Sequence, residues 1–316
     1  MNEMTVMEEI TGILPKRIRT AFSYIVNVQG VSEIRLRTNC PVYFLLNGQE
    51  KMLGEKGQAA RREEEAVRVR EGEIRECLDY ISRFSLYAYG EEMKNGFLTI
   101  PGGHRIGLCG SAVAKDSEIQ IVKHISSLNI RIAHSVPGCG HSLLPYLIEK
   151  DNLCSTLLFS PPGAGKTTFL RDLIRLLSDG EGCRGRNVGV VDSRSELAAC
   201  YQGIPQHKIG QRTDVLDGSP RGAGVELLLR TMAPEVIAVD EIGNERDKDA
   251  LLSCMNCGCS LLATAHGGSR EELLNRPFFK ELSRYRVFKR YVLIERKENI
   301  RRTVIWDETG HLLKEG

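Results

Sequence analysis

Gly163-Ala164-Gly165-Lys166-Thr167-Thr168 puts two glycines, a lysine and two hydroxyls in a row, a combination suited to holding phosphate. Backbone N–H groups around Gly163, Ala164 and Gly165 can cradle phosphate oxygens, and the start of a following helix favours the same negative charge. Lys166 then neutralises the outer phosphates, while the Thr167 hydroxyl completes the shell of a magnesium ion. Ser160 stands where the usual first glycine of such a loop is expected, so the match is complete only in the residues nearest the phosphate.

Acids of the right kind lie downstream. Val236-Ile237-Ala238-Val239 is a short apolar run that delivers Asp240 and Glu241 at its end. Asp240 is suited to the magnesium shell and Glu241 to polarising an attacking water, two tasks that need charge at different points around a terminal phosphate. An unrelated acidic turn is the competing reading. Val188-Gly189-Val190-Val191 leads likewise into Asp192, with Glu196 just beyond, as candidates for orienting magnesium, water or a neighbouring subunit. The alternative for Asp192 is a strand-end turn followed by a helix cap. Leu261-Leu262-Ala263-Thr264-Ala265 ends in His266, placed to sense the terminal phosphate or simply to finish a strand.

The elements that must position these residues alternate between buried strands and helices, the pattern of an α/β fold with a parallel sheet whose ligand site lies at the C-terminal strand ends. Helices are expected at Phe169 to Leu177, Gly224 to Met232, Asp247 to Met255 and Glu271 to Leu274, with a preceding helix at His141 to Glu149. Strands are expected at Val287 to Ile294 and Ile300 to Trp306, and Tyr201 to Pro220 reads as a nucleotide-responsive loop.

Ahead of Val136-Pro137-Gly138 the character differs. Two short helices, Thr5 to Leu14 and Pro15 to Asn27, precede the alternating Glu33-Ile34-Arg35-Leu36-Arg37 and the strand Val42 to Leu46. A helix over Glu73 to Phe84, a hairpin turning at Pro101-Gly102-Gly103 and the strand Leu128 to Ile132 follow. The reading is a mixed α/β N-terminal domain over residues 1–136 and a nucleotide-binding α/β domain over 137–316.

Composition narrows the partners. With 316 residues, 41% hydrophobic and 27% charged, the chain reads as a soluble two-domain protein without an intrinsic membrane span or secretory signal. Its net charge of +2 gives no general argument for nucleic acid. Three of ten cysteines gather at Cys254, Cys257 and Cys259, but the spaced pairs of a zinc site are missing, and reduced thiols are the better reading.

From about Cys154 to Glu295 the sequence resembles the secretion-type branch of RecA-like ATPases. Over nearly the whole chain it resembles more closely the stage III sporulation AA family of endospore-forming bacteria. The segments that carry this are Glu33 to Arg37, Gly96 to Arg105, Leu128 to Ala133, the phosphate loop, and Arg230-Thr231-Met232-Ala233-Pro234-Glu235 running into Val236 to Gly243. The resemblance implies a RecA-like P-loop core, ATP and Mg2+, and a homo-oligomer of six subunits. It also implies a cytoplasmic site on the mother-cell side, peripheral to a sporulation membrane complex that acts as a channel or secretion machine. Carried over by residue, it implies Lys166, Thr167 and Thr168 on phosphate and metal, Asp240 and Glu241 on metal and water, His266 as sensor, and Arg105 and Arg131 as phosphate contacts from the N-terminal domain. The family's usual Asp-Glu-Arg-Ser-Glu box reads Asp192-Ser193-Arg194-Ser195-Glu196 here and lacks the middle acid. A nucleotide-gated scaffold with negligible turnover and a nucleic-acid motor are the alternative functions.

Overall fold

The computed structural model describes residues 10–25, 30–82, 96–115, 118–133, 137–297 and 300–316. The first half of the helix expected at Thr5 to Leu14, the far ends of those expected to reach Asn27 and Phe84, and Val136 at the expected junction lie outside the described residues. The chain divides into two units, Met1–His134 and Ser135–Gly316.

The first unit is built on an antiparallel sheet. Helix α1 (Lys16–Ser23) precedes β1 (Val31–Arg37), β2 (Tyr43–Leu46), β3 (Gln49–Leu53) and β4 (Ala59–Ala60); α2 (Glu73–Ser82) precedes β5 (Phe97–Ile100), β6 (His104–Lys115) and β7 (Glu118–Arg131). The strand order is β4-β3-β2-β1-β7-β6-β5. Alternation in β1 buries Ile34 and Leu36, and Leu128 and Ile130 are buried in β7 beside it, as are Ile106 and Leu108 in β6 beyond. Phe22 of α1 meets Phe44 of β2 edge-on at 5.6 Å, and Arg17 clamps Glu73 of α2 with two hydrogen bonds of 3.1 and 2.9 Å. β6 and β7 extend well beyond the short strands expected there.

In the second unit, α3 (Leu144–Leu147), β8 (Ile148–Glu149) and β9 (Asn152–Leu153) lead into β10 (Thr156–Ser160) and α4 (Lys166–Asp179). Then come β11 (Val188–Asp192), β12 (Thr213–Asp217), α5 (Arg221–Thr231), β13 (Val236–Val239), α6 (Lys248–Asn256), β14 (Ser260–His266), α7 (Arg270–Asn275) and α8 (Pro277–Arg284). The chain closes with β15 (Arg290–Lys297), β16 (Ile300–Asp307) and β17 (Leu312–Glu315). The sheet order is β12-β11-β13-β14-β10-β15-β16-β17, parallel from β12 to β15 and antiparallel after it.

Both faces of this sheet are covered, and the strands are apolar almost throughout for that reason. Leu157, Phe159, Ile237, Val239, Leu261 and Ala263 join one core. Their neighbours Leu158, Val236, Ala238 and Leu262 join the other, with Leu170, Leu173 and Leu177 of α4. Truncating one such side chain, as in Leu158→Ala, costs about 2–5 kcal/mol. Helix α4 stops at Gly180, whose φ of 78° permits the left-handed cap, with its N–H donating to Leu176 O at 2.9 Å.

Two expectations and one alternative reading need correction. The helix at His141 to Glu149 is a single turn, because Lys150 and Asp151, both at positive φ (48° and 62°), fold the chain back as the β8–β9 hairpin. Tyr201 to Pro220 is not loop throughout: Thr213–Asp217 pairs in parallel with β11 as an edge strand. No helix follows Asp192, where the chain runs on as an irregular loop. Helix α8 and strand β17 were not expected at all.

Candidate functional site

The site begins where β10 ends. Pro161 and Pro162 cannot continue a sheet ladder, and Gly163 and Gly165 take φ values of 77° and 105° that a side chain resists. Gly165 is the N-cap of α4, so the first N–H groups of a 14-residue helix point out of this turn. Lys166 is only 7% exposed, a position a lysine occupies at low cost only when its charge is matched.

The match is Glu241, whose Oε1 accepts from Lys166 Nζ at 2.9 Å. Glu241 follows β13 and sits at φ 57°, uncommon for a side-chain-bearing residue and a form of local strain met at functional sites. Its N–H donates to Thr264 Oγ1 at 2.8 Å, and the Ile242 N–H donates to Thr264 O at 2.8 Å. Thr264 also donates its hydroxyl to Asp240 Oδ1. The other oxygen of Asp240 accepts from the Thr167 hydroxyl at 2.9 Å, and Arg221 Nε donates to the Asp240 carbonyl at 2.7 Å. One threonine on β14 thus fixes both acids at the end of β13.

His266 closes β14 opposite Ser160 of β10, and its Nε2 lies 3.0 Å from Glu241 Oε1. Arg194 Nη1 reaches Glu241 Oε2 at 2.6 Å, although the arginine itself is 59% exposed. Burial alone would raise the Glu241 pKa. The hydrogen bond and charge of Lys166, joined by the charge of Arg194 and the hydrogen bond of His266, outweigh it and hold the carboxyl below its ordinary value.

Asp192 is used differently. Its two oxygens accept N–H groups from Glu196, Leu197 and Ala198 at 2.9, 2.9 and 2.8 Å, so it organises the loop that carries Arg194. Burial pushes its pKa up against the pull of those N–H groups. Glu196 joins this arrangement through its main chain, its carbonyl accepting from Arg171 Nη2 at 2.6 Å. These contacts make the strand-end turn of the alternative reading, but no helix follows for it to cap.

Lys166, Thr167, Asp240, Glu241 and His266 therefore converge, while Arg105 and Arg131 belong to the first unit. These two arginines are direct partners on β6 and β7, and the Arg105 guanidinium lies 3.9 Å from the Phe97 ring centroid. Arg194, Thr264 and Arg221 have no separable signal in the sequence, since each acts through contacts with residues outside its own strand, helix or loop. All ten cysteines are free thiols. Among the described residues no group of three or more His, Cys, Asp or Glu side chains is arranged to hold a metal ion.

The family model for sporulation stage III, protein AA matches residues 4–313. The chain belongs to that family. The stage III sporulation protein AA of Bacillus subtilis (strain 168) is 40% identical over 311 residues, spanning 97% of each chain. Among solved structures, the pilus retraction motor PilT with bound ADP is similar at a TM-score of 0.59 and 14% identity, covering 95% of this chain and 82% of that one. The Legionella pneumophila ATPase DotB is similar at a TM-score of 0.55 and 14% identity, covering 93% and 82%. Likeness at such identity is likeness of fold, so this member of the stage III AA family has a RecA-like P-loop core with a smaller mixed α/β N-terminal unit.

Proposed function

We propose that the chain is a magnesium-dependent ATPase that couples hydrolysis to assembly or transport in a sporulation membrane channel or secretion-like complex. The observation that carries this reading is the meeting of Lys166, the Thr167–Asp240 pair and Glu241 at one edge of the sheet. The Thr167 hydroxyl and the Asp240 carboxylate are hard oxygen donors, the kind magnesium takes alongside phosphate oxygens and water. When bound, the ion neutralises charge on the outer phosphates.

The residues of the chain do the rest. Gly163 to Thr168 cradle the phosphates, and a terminal phosphate draws Lys166 away from Glu241. Glu241 is then free to take a proton as water attacks the terminal phosphorus in line. The bond from that phosphorus to the bridging oxygen breaks, and the electron pair leaves with ADP. Arg194 and His266, both held to Glu241, report the arrival and loss of the phosphate to the ends of β11 and β14.

Membership of the stage III AA family supports a place in sporulation, on the cytoplasmic, mother-cell side of a membrane complex. No helix among the described residues is long and apolar enough to cross a membrane. A six-membered ring is the assembly proposed for the chain. The test is magnesium-dependent phosphate release from ATP by the full chain, with the mass of the assembly followed in parallel. A chain that binds no nucleotide in any assembly state overturns the reading.

A further inference from the structure

Arg301 is the second residue of β16, in the sheet that holds the phosphate loop and on the side away from the acids. The strand order sets β14 and β13, with His266, Asp240 and Glu241 at their ends, on one flank of β10, and β15 and β16 on the other. β15 runs parallel to β10 and β16 antiparallel to β15, so the first residues of β16 lie where β10 and β15 finish. There the Arg301 guanidinium lies against Gly165. A Cβ on that glycine would meet Arg301 Nη2 at 3.5 Å, and Cζ and Nε each at 3.6 Å. Near-equal distances to three atoms of a planar group mean that its face is turned to the loop.

The same charge is felt at the first turn of α4. The Cys139 thiol contacts the Thr168 carbonyl at 3.7 Å. Burial, aided by Asp172, pushes that thiol up to about 11, and Arg301 pulls against the shift.

A triphosphate whose last phosphate sits among Lys166, Glu241 and His266 must run away from the two carboxylates, which repel its inner phosphates. That direction leads along the loop toward β15 and β16. We infer that Arg301 grips the nucleoside end of the bound nucleotide, contacting the α-phosphate where it leaves the loop beside Gly165. A guanidinium suits this place because its planar fork matches phosphate oxygens and its charge is permanent. The inference rests on the loop being a nucleotide site, as proposed above.

It is tested by equilibrium binding of ADP and of pyrophosphate, each with magnesium, to the full-length wild type, Arg301→Ala and Arg301→Lys. Arg301→Ala is expected to weaken ADP by roughly ten- to a hundredfold, the range for a lost charge-assisted hydrogen bond. Pyrophosphate, which needs only the loop, should stay within about twofold and so show that the loop is intact. Arg301→Lys should recover part of the ADP affinity. Unchanged ADP affinity in Arg301→Ala overturns the inference alone, as does an equal loss for pyrophosphate. A wild type that binds neither ligand overturns the nucleotide site and this inference together.

Discussion

Lys166 and Glu241, 75 positions apart in sequence, face one another at 2.9 Å across the C-terminal edge of the second sheet. The same carboxylate also holds His266 and Arg194. Three cationic or ionisable partners meet on this single acid; in the proposed function, Glu241 is where phosphate occupancy is exchanged for movement at neighbouring strand ends.

The pairing has a consequence for pH. The folded-state pKa of Glu241 is held below its ordinary value of 4.5. An acid shifted in this direction contributes stability that is complete above the unfolded pKa and is lost as pH falls through the folded one. Glu241→Gln should therefore lower the thermal midpoint relative to wild type at pH 7, and the gap should close as pH is taken below about 4.5. Midpoints measured by circular dichroism check this; a gap that stays constant down to pH 3 contradicts it.

Thr264 should matter to both stability and turnover. Thr264→Val leaves the Glu241 N–H and one Asp240 oxygen without their buried partner, costing about 1–3 kcal/mol. Misplaced acids should also slow hydrolysis by about tenfold or more. Thr264→Ser, which keeps the hydroxyl, should restore most of both. Urea unfolding and phosphate release on the three proteins decide it, and a valine variant as stable and active as wild type rules it out.

Asp192→Ala removes the acceptor of three backbone N–H groups and should cost about 2–4 kcal/mol of stability. ATP affinity of the folded variant should stay within about threefold of wild type, since the carboxylate faces its own loop. Loss of ATP binding at unchanged stability would instead place Asp192 on the nucleotide or its metal.

What was legible in the sequence was local. Gly163 to Thr168 is contiguous, and Asp240-Glu241 stands directly after four apolar residues, so spacing alone exposes them. Arg194, Thr264 and Arg301 are set by strand order, and no window of sequence holds both an arginine of β16 and the loop it lies against. β12 escaped notice because an edge strand is only partly buried and this one carries Asp214 and Asp217. The helix expected at His141 to Glu149 has suitable apolar spacing, but the two left-handed residues after it commit the chain to a hairpin. Asp192 shows the limit on the functional side: an acid at a strand end can serve a ligand or its own loop, and the sequence does not mark the three N–H groups that it accepts.

The most direct test of the central claim is phosphate release per subunit with ATP and magnesium, comparing wild type with Glu241→Gln while bound nucleotide is measured in the same samples. The account predicts that both proteins bind ATP and that turnover in the Glu241→Gln protein is lower by at least about a hundredfold. Tight ATP binding with equal turnover in the two proteins, or with none in either after assembly, would contradict it and favour a nucleotide-gated scaffold.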